Sequence, residues 1–336
     1  MSTTLYPLTF RHVYTDYIWG GDWIARHYGR ADAPARCAES WEISAHPDGM
    51  SVVDSGALQG ASLADLCAEH GAALLGTDCP GSTFPLLVKL IDAKDRLSVQ
   101  VHPNDESAAK FGGQAKTEMW YILDAEPQAC LCAGLLPSVP GPRKFHDACV
   151  DKTVGKLLNI IPSERGKSLF VPGGMVHAIG AGNRILEIQQ NSNTTYRVFD
   201  WNRVDASGRG RELHIRQAME VIDWRGGRSV GLLEPIPMAT ANPANRRRRM
   251  LRCDFFALCA TTLLAPEPVA LDGRSFHALF VESGAADLFW NDGRDAISLP
   301  AGTSCLVPAS LGSYTLAPCA DSGADGPAAT VFTATL

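Results

Sequence analysis

The sequence predicts a mostly β protein with a few helices, which lie mainly in the N-terminal half. Short apolar or alternating segments recur along the chain, and Gly, Pro and Asn-Asp-Gly breaks separate them, as is typical of β-sandwiches and barrels. The chain has 336 residues, of which 46% are hydrophobic. This is enough for a sizeable core, and the length favours two domains or one large one.

The first half alternates helical and strand patterns. Helices are predicted at 62–76, where Ser62 can act as the N-cap, and at 105–112, which follows Asn104. Residues 96–103 alternate apolar and polar side chains, which predicts a strand with two unlike faces. Further strands are predicted at 84–92 and 117–123.

The chain after residue 147 is richer in strand patterns. Helices are predicted at 148–161 and 212–222, and a strand–turn–strand region at 168–202. Residues 226–250 look like a connection, whose final tetra-arginine run at 246–249 we interpret as a solvated face. Residues 252–336 contain short strands, and Asn291-Asp292-Gly293 is a hairpin signal.

Composition excludes several classes of protein. The formal net charge of −6 gives no reason to expect nucleic acid as a partner. The first 30 residues contain scattered charges and no apolar h-region, and the chain has no run of 18 apolar residues, so neither a signal peptide nor a spanning helix is predicted. The ten cysteines form no CxxC pair and are interpreted as reduced thiols of a cytoplasmic protein.

Two histidines, a carboxylate and an amide form a candidate metal site. Gln100 and His102 share one face of the predicted strand, Glu118 lies on the next strand, and His177 follows a Pro-Gly-Gly turn. Two imidazoles with oxygen ligands suit Zn²⁺ and leave a position for substrate or water. A set of two His and one carboxylate suits Fe(II) equally well.

The frame around His177 resembles the second sequence motif of the cupins. In Gly166-x5-Pro172-x-Gly174, proline ends the incoming strand, glycine permits a tight turn, and the next strand begins at His177. Gly302-x5-Pro308 repeats the frame near the C-terminus, but Ser313 then stands where the first copy has histidine. The second copy therefore looks like a barrel without a metal.

Longer motifs resemble one cupin family, the type I mannose-6-phosphate isomerases in their short bacterial form. They are TrpGlyGly (19–21), GluSerTrpGluIleSer (39–44), LVKLIDAKDRLSVQVHPND (87–105), AKTEMWYIL (115–123) and VPGGMVHAIGAGNRILEIQQNSNTTYRVFDWNR (171–203). The resemblance implies two cupin-like, jelly-roll β-barrels. Residues 1–235 would form the metal-binding catalytic domain with short helical segments, and 236–336 a barrel without metal.

The resemblance also implies a reaction and a ligand set. Members interconvert mannose 6-phosphate and fructose 6-phosphate, an aldose–ketose isomerisation that passes through an enediol. One Zn²⁺ per chain would be held by Gln100, His102, Glu118 and His177. The helical insertion of longer members, between the glutamate and the second histidine, is absent or vestigial here, because only 59 positions separate Glu118 from His177.

The remaining site residues are assigned by the same resemblance. Arg197 matches the active-site arginine, and Glu187 the glutamate ten positions before it. Ser98 and Lys116 match positions associated with the substrate or its phosphate, and Lys89 matches a lysine of the pocket. Alternatives stay open: Lys89 in a buried ion pair, Glu187 facing solvent, or Arg197 paired with Asp200 or Glu187. Either Glu187 or a zinc-bound group would move the proton.

Two other functions compete with the isomerase. A non-catalytic phosphosugar-binding or regulatory cupin would not need the full set of site residues, and a metal-dependent cupin oxygenase would use iron. The basic residues around the site favour a phosphorylated substrate. The expected partner is therefore a small phosphosugar, without nucleic acid or membrane, and the sequence does not determine the oligomeric state.

Overall fold

The computed structural model describes residues 4–138, 141–204, 207–224, 230–319 and 328–336. Within these ranges the chain is mostly β, as predicted, and six short α-helices accompany the strands. None of these helices is long and apolar enough to cross a membrane. All ten cysteines lie in the described residues and are free thiols, six of them buried.

Five of the six helices precede the middle of the chain. They are α1 (Trp23–Tyr28), α2 (Leu63–His70), α3 (Ala72–Leu75), α4 (Asp105–Phe111), α5 (Pro142–Val150) and α6 (Ile215–Val221). Ser62 caps α2 by accepting a hydrogen bond from the Asp65 amide, as the sequence predicts. Gly71 divides the predicted 62–76 helix into α2 and α3.

Strands form most of the remaining structure. The first twelve are β1 (Leu8–Thr9), β2 (Val13–Thr15), β3 (Glu39–Ser44), β4 (Leu86–Ala93), β5 (Val99–Val101), β6 (Glu118–Ala125), β7 (Cys130–Leu135), β8 (Leu158–Pro162), β9 (Ser168–Val171), β10 (His177–Ile179), β11 (Asn183–Gln190) and β12 (Tyr196–Phe199). The last ten are β13 (Ile236–Met238), β14 (Arg246–Arg252), β15 (Ala257–Leu263), β16 (Glu267–Ala270), β17 (His277–Ser283), β18 (Ala285–Trp290), β19 (Asp295–Pro300), β20 (Ser304–Val307), β21 (Ser313–Pro318) and β22 (Ala329–Thr335).

The strands pair into four sheets. Their orders are β2-β3-β4-β11-β6-β9, β12-β5-β10-β7-β8, β1-β20-β17-β22-β15-β14-β13 and β16-β21-β18-β19. The same pairing scheme occurs twice, since β6 lies between β11 and β9 as β17 lies between β22 and β20. Likewise β10 lies between β5 and β7 as β21 lies between β16 and β18. Two cupin-like barrels are therefore built on one plan.

The chain divides into two compact units. Unit 1 consists of Met1–Val13, Trp41–Lys89 and Glu234–Leu336, and unit 2 of Tyr14–Ser40 and Leu90–Leu233. Each unit thus draws on separate stretches of sequence. The assignment of a catalytic domain to 1–235 and of a metal-free barrel to 236–336 stays a prediction.

The interior of unit 2 is a barrel core with one covered outer face. Trp120, Leu131, Ile179 and Ile185 pack with other buried apolar residues between the five- and six-stranded sheets. The outer face of the five-stranded sheet is covered by α5 and α6 through a second apolar cluster. Because side chains alternate along a strand, β5 directs Val99 and Val101 to the helices and its one polar residue, Gln100, to the barrel interior.

Two predictions of local structure were wrong. Residues 148–161 are not one helix: α5 ends at Val150, a 3₁₀ turn covers 154–157, and β8 pairs with β7. Strand pairing overrides the helical pattern of this short apolar run. The described part of 226–250 contains β13 and the start of β14 rather than a connection alone.

The tetra-arginine run begins β14. Arg246 is exposed, but the three arginines that follow are half-buried, so the solvated-face interpretation holds only in part. The Asn291-Asp292-Gly293 hairpin prediction is confirmed: all three residues have positive φ and join β18 to β19.

Candidate metal centre and active site

Three strands bring His102, Glu118 and His177 together inside unit 2. His102 follows β5, Glu118 begins β6 and His177 begins β10, directly opposite Gln100. All three metal-ligand candidates are only 1% exposed. Among the described residues they form the one group of three or more His, Cys, Asp or Glu side chains close enough to share a metal ion.

The ligand atoms of these residues converge on one point. The Nε2 atoms of His102 and His177 lie 3.1 Å apart. One oxygen of Glu118 lies 3.5 Å from His102 Nε2 and the other lies 3.4 Å from His177 Nε2. All the ligand atoms are therefore mutually close enough for one small cation to contact them together.

Hydrogen bonds on the far side of each ring define which nitrogen faces the centre. His102 Nδ1 lies 2.7 Å from the Thr194 carbonyl oxygen, and His177 Nδ1 lies 2.8 Å from that of Met175. A carbonyl only accepts, so each Nδ1 carries a hydrogen and each neutral ring presents a lone pair at Nε2. Burial lowers the pKa of His177 to about 4, which keeps that ring neutral at pH 7.

This donor set fits a divalent metal ion. Two lone pairs that face each other at 3.1 Å, with a carboxylate beside them, call for an electropositive group between them. Imidazole and carboxylate ligands suit Zn²⁺. Gln100 directs its amide nitrogen towards both histidines, at 3.3 and 3.5 Å, and its oxygen accepts from Ser98. Direct ligation by Gln100 requires a half-turn of the amide and stays a prediction.

Lys116 is buried at the edge of this centre. Its Nζ lies 2.8 Å from Glu118 Oε2, 3.3 Å from His102 Nε2 and 3.8 Å from Glu187 Oε1. A buried ammonium group is stable only beside negative charge, which the two carboxylates supply. Lys116 therefore lies next to the cluster of ligand atoms.

Glu187 faces the barrel interior and not the solvent. It is 2% exposed and stands directly opposite Trp120 in the β6–β11 pairing. Trp120 Nε1 donates a hydrogen bond to Glu187 Oε2 at 2.8 Å. The site therefore contains a second buried carboxylate, one strand away from Glu118.

A hydrogen-bonded chain links Arg197 to the centre. Arg197 Nε donates to Ser98 Oγ at 3.2 Å, and Ser98 Oγ donates to Gln100 Oε1 at 3.2 Å. Arg197 Nη1 also donates to the Glu212 carbonyl oxygen. Burial and the neighbouring Arg211 guanidinium lower the pKa of Arg197, which as an arginine remains a cation.

Asp200 accepts hydrogen bonds from Arg203 and Arg211. The expected alternative of an Arg197–Asp200 pair is thus replaced by bonds from Arg197 to Ser98 and Glu212. Lys89 is buried in β4, at 6% exposure. Its assignment to the substrate pocket stays a prediction.

Sequence reasoning missed the indole of Trp120 and the carbonyl groups of Met175 and Thr194. Trp120 had a signal, because it stands two positions after Glu118 and alternation puts both side chains on one face. The sequence contains no signal for the two carbonyl groups, because every residue has a backbone carbonyl whatever its side chain.

The second barrel differs from the first at the equivalent positions. Tyr314 points inward from β21 and packs in the apolar cluster of the second barrel, whereas Ser313 is exposed. Tyr314 pairs with Val269 where His177 pairs with Gln100. His277 begins β17 as Glu118 begins β6, and its Nδ1 lies 2.8 Å from Tyr314 Oη.

Comparisons with known proteins agree with the geometry. The family "Phosphomannose isomerase type I, catalytic domain" matches residues 8–130. The mannose-6-phosphate isomerase ManA of Bacillus subtilis is 40% identical over 231 residues, which cover 66% of this chain and 69% of that protein.

Solved structures share the fold along nearly the whole chain. The crystal structure of the B. subtilis mannose 6-phosphate isomerase has a TM-score of 0.86 at 28% identity and covers 98% of this chain and 99% of its own. A mannose 6-phosphate isomerase bound with zinc and yttrium has a TM-score of 0.74 at 17% identity, with 97% and 98% covered, and shows the fold alone. The chain therefore belongs to the enzyme family of type I phosphomannose isomerases, as its motifs predicted.

Proposed function

We propose that the protein interconverts mannose 6-phosphate and fructose 6-phosphate with the help of one bound Zn²⁺. The observation that carries the proposal is the buried His102–Glu118–His177 cluster, with a second carboxylate, Glu187, and a buried cation, Lys116, at its edge. An isomerase needs such a grouping because it must move a proton between carbon atoms and stabilise the charge that develops on oxygen.

The ion would be held by His102, Glu118 and His177, with Gln100 as the fourth residue at the same face of the barrel. A bound divalent ion supplies Lewis-acid polarisation of a substrate oxygen. The carbonyl groups of Thr194 and Met175 hold the two imidazoles in the tautomer that this ligation needs.

Glu187 is the proposed base. Isomerisation removes the C2 proton of the open-chain aldose, the released electron pair forms the C1=C2 bond, and the charge moves to O1. The proton then returns to C1 while the O2 proton passes to O1, so that O1 becomes a hydroxyl group and O2 becomes the carbonyl oxygen of the ketose. A carboxylate held beside a buried ammonium group and an indole N–H can carry the proton between the two carbons.

Lys116 and Arg197 have different proposed contacts with the substrate. Lys116 touches Glu118, so we propose that it contacts the reacting end of the sugar rather than the phosphate. Arg197 is half-buried and bonded to Ser98, and we propose that it stabilises the enediolate charge through its planar, two-donor edge. Ser98 and Lys89 complete the proposed substrate contacts.

A coupled assay tests the function directly. Purified protein should convert mannose 6-phosphate to fructose 6-phosphate, lose this activity on chelation and regain it when Zn²⁺ is added. Stoichiometric binding of the phosphosugar to zinc-loaded protein without turnover would instead identify a binding protein. Oxygen consumption that depends on iron would identify an oxygenase.

A further inference from the structure

Trp120 joins the proposed base to the metal centre. Its indole Nε1–H donates to Glu187 Oε2 at 2.8 Å, and its ring stands at 72° to the His177 imidazole with ring centroids 5.5 Å apart. Trp120 is 1% exposed, so this contact with both groups is shielded from water.

Strand pairing dictates this arrangement. Trp120 and Glu187 are direct partners in the antiparallel β6–β11 pair, and their side chains point into the same barrel interior. Trp120 also stands two residues after Glu118, so a single strand presents a metal ligand and the indole on one face. The position of the N–H is therefore set by backbone pairing and by close packing of a large ring.

The two oxygens of Glu187 have different neighbours. Oε2 accepts from the indole, whereas Oε1 faces the Lys116 ammonium group at 3.8 Å. A carboxylate restrained at one oxygen keeps one orientation of its plane. A base that moves a proton between adjacent carbons needs that restraint, because small misplacements of reacting groups cost large factors in rate.

We propose that Trp120 is a positioning residue that orients Glu187 for proton transfer by means of the indole N–H. This inference rests on the proposed role of Glu187 as the base. It assigns to the N–H a function beyond packing, and it predicts that Trp120 and Glu187 act as one unit in turnover.

The test is a double-mutant cycle between Trp120→Phe and Glu187→Gln, measured with zinc-loaded protein. Trp120→Phe should lower kcat about 10–100-fold, the range typical for partners that orient reacting groups, with KM within about twofold. In the Glu187→Gln background the same change should alter kcat by less than about twofold, because the base it orients is already gone.

Metal content and a matched control separate this role from a structural one. Trp120→Phe should retain one zinc per chain. Trp224→Phe removes another indole N–H, which donates to the Met219 carbonyl oxygen, and should leave kcat unchanged. If Trp120→Phe fails to fold, benzothienylalanine at position 120 keeps the ring and deletes only the N–H, and the same loss of kcat is expected.

Three results would overturn the proposal. They are equal losses of kcat from Trp120→Phe in both backgrounds, loss of zinc from the single variant, and full activity of the benzothienylalanine protein. Wild-type turnover by Glu187→Gln would instead refute the role of Glu187 in the proposed function, a separate failure that the cycle reports by itself.

Discussion

At the scale of single residues, the ligand cluster depends on two imidazoles whose Nε2 atoms face each other. Because His102 and His177 each supply one donor to the same point, removing either should leave too few ligands for tight binding. We expect His102→Ala and His177→Ala to lose bound zinc, measured by elemental analysis after dialysis. His146→Ala, on an exposed ring of α5, is the control and should retain the metal. Full occupancy in both site variants would refute the assignment.

Arg197 is expected to act on the transition state. Loss of one preorganised donor typically costs about 10²–10³ in turnover, or roughly 3–4 kcal/mol. Arg197→Ala should therefore lower kcat by about this factor while zinc stays bound, in steady-state assays with metal content checked. Arg216→Ala removes the same charge from an exposed position of α6 and should have no effect. A change in KM alone would make Arg197 a phosphate anchor.

Lys116 is expected to act at the reacting end of the substrate. It contacts Glu118 and lies near Glu187, so its removal should lower kcat at least tenfold and change KM less. Lys116→Met keeps the length of the side chain without the charge, and Lys110→Met on the exposed face of α4 is the matched control. A large rise in KM with unchanged kcat would instead favour binding of the phosphate by Lys116.

At the scale of elements, the turn between β9 and β10 places His177 by lying against the segment that follows His102. Gly174 has a φ of +89° and its amide donates to the His102 carbonyl oxygen at 2.7 Å. A Cβ on Gly173 would come within 2.7 Å of the Asn104 backbone. The glycines of the cupin-like turn therefore serve two needs, a left-handed residue and a close approach of two backbones.

Gly173→Ala should consequently disturb both fold and metal binding. Overpacking of this kind typically costs about 1–3 kcal/mol. Here the two backbone segments that would be pushed apart lie close in sequence to His102 and His177, the candidate metal ligands. We expect a lower free energy of unfolding in urea and weaker zinc retention. Gly81→Ala, where an added Cβ meets nothing within 4 Å, is the control. If Gly173→Ala were as stable as the wild type, the turn would be able to separate from the Asn104 backbone at no cost in stability.

At the scale of the whole molecule, the free energy of unfolding should depend on pH, in part because of His277 in the second barrel. Burial, aided by the Arg247 guanidinium, lowers the pKa of His277 from 6.5 to about 4, whereas Asp272 acts weakly in the opposite sense. Between these values the unfolded chain binds a proton that the folded state does not. The free energy of unfolding therefore falls as the pH drops from about 6.5 to 4, by about 3 kcal/mol at most from this group.

His277→Gln removes that titration and retains a hydrogen-bonding amide opposite Tyr314. The stability difference between wild type and variant should shrink or reverse as the pH falls from 7 to 4.5, measured by urea unfolding at each pH. A pH-independent difference would mean that His277 titrates normally in the folded protein. The comparison between the two proteins cancels the contribution of His177, whose pKa is lowered in the same direction.

The sequence by itself was sufficient for the fold class, the family and the ligand cluster. Strand alternation and the Pro-Gly-Gly turn are local features that made these residues candidates, and the resemblance of the longer motifs to one family predicted that His102, Glu118 and His177 would converge. Helices α2 and α4 were also predicted from local features, because each begins after an N-cap residue that is visible in the sequence, Ser62 or Asn104.

Only the tertiary structure decided the rest, because it depends on which distant strands pair. Pairing of β8 with β7 turned a helical pattern into a strand. Pairing of β6 with β11 placed the Trp120 indole against Glu187 and removed that carboxylate from solvent. The register of β21 against its neighbouring strands makes Tyr314 the inward residue of the second barrel and leaves Ser313 exposed. Local patterns specify the period of side chains along a strand, whereas register across strands is set by packing of the whole core.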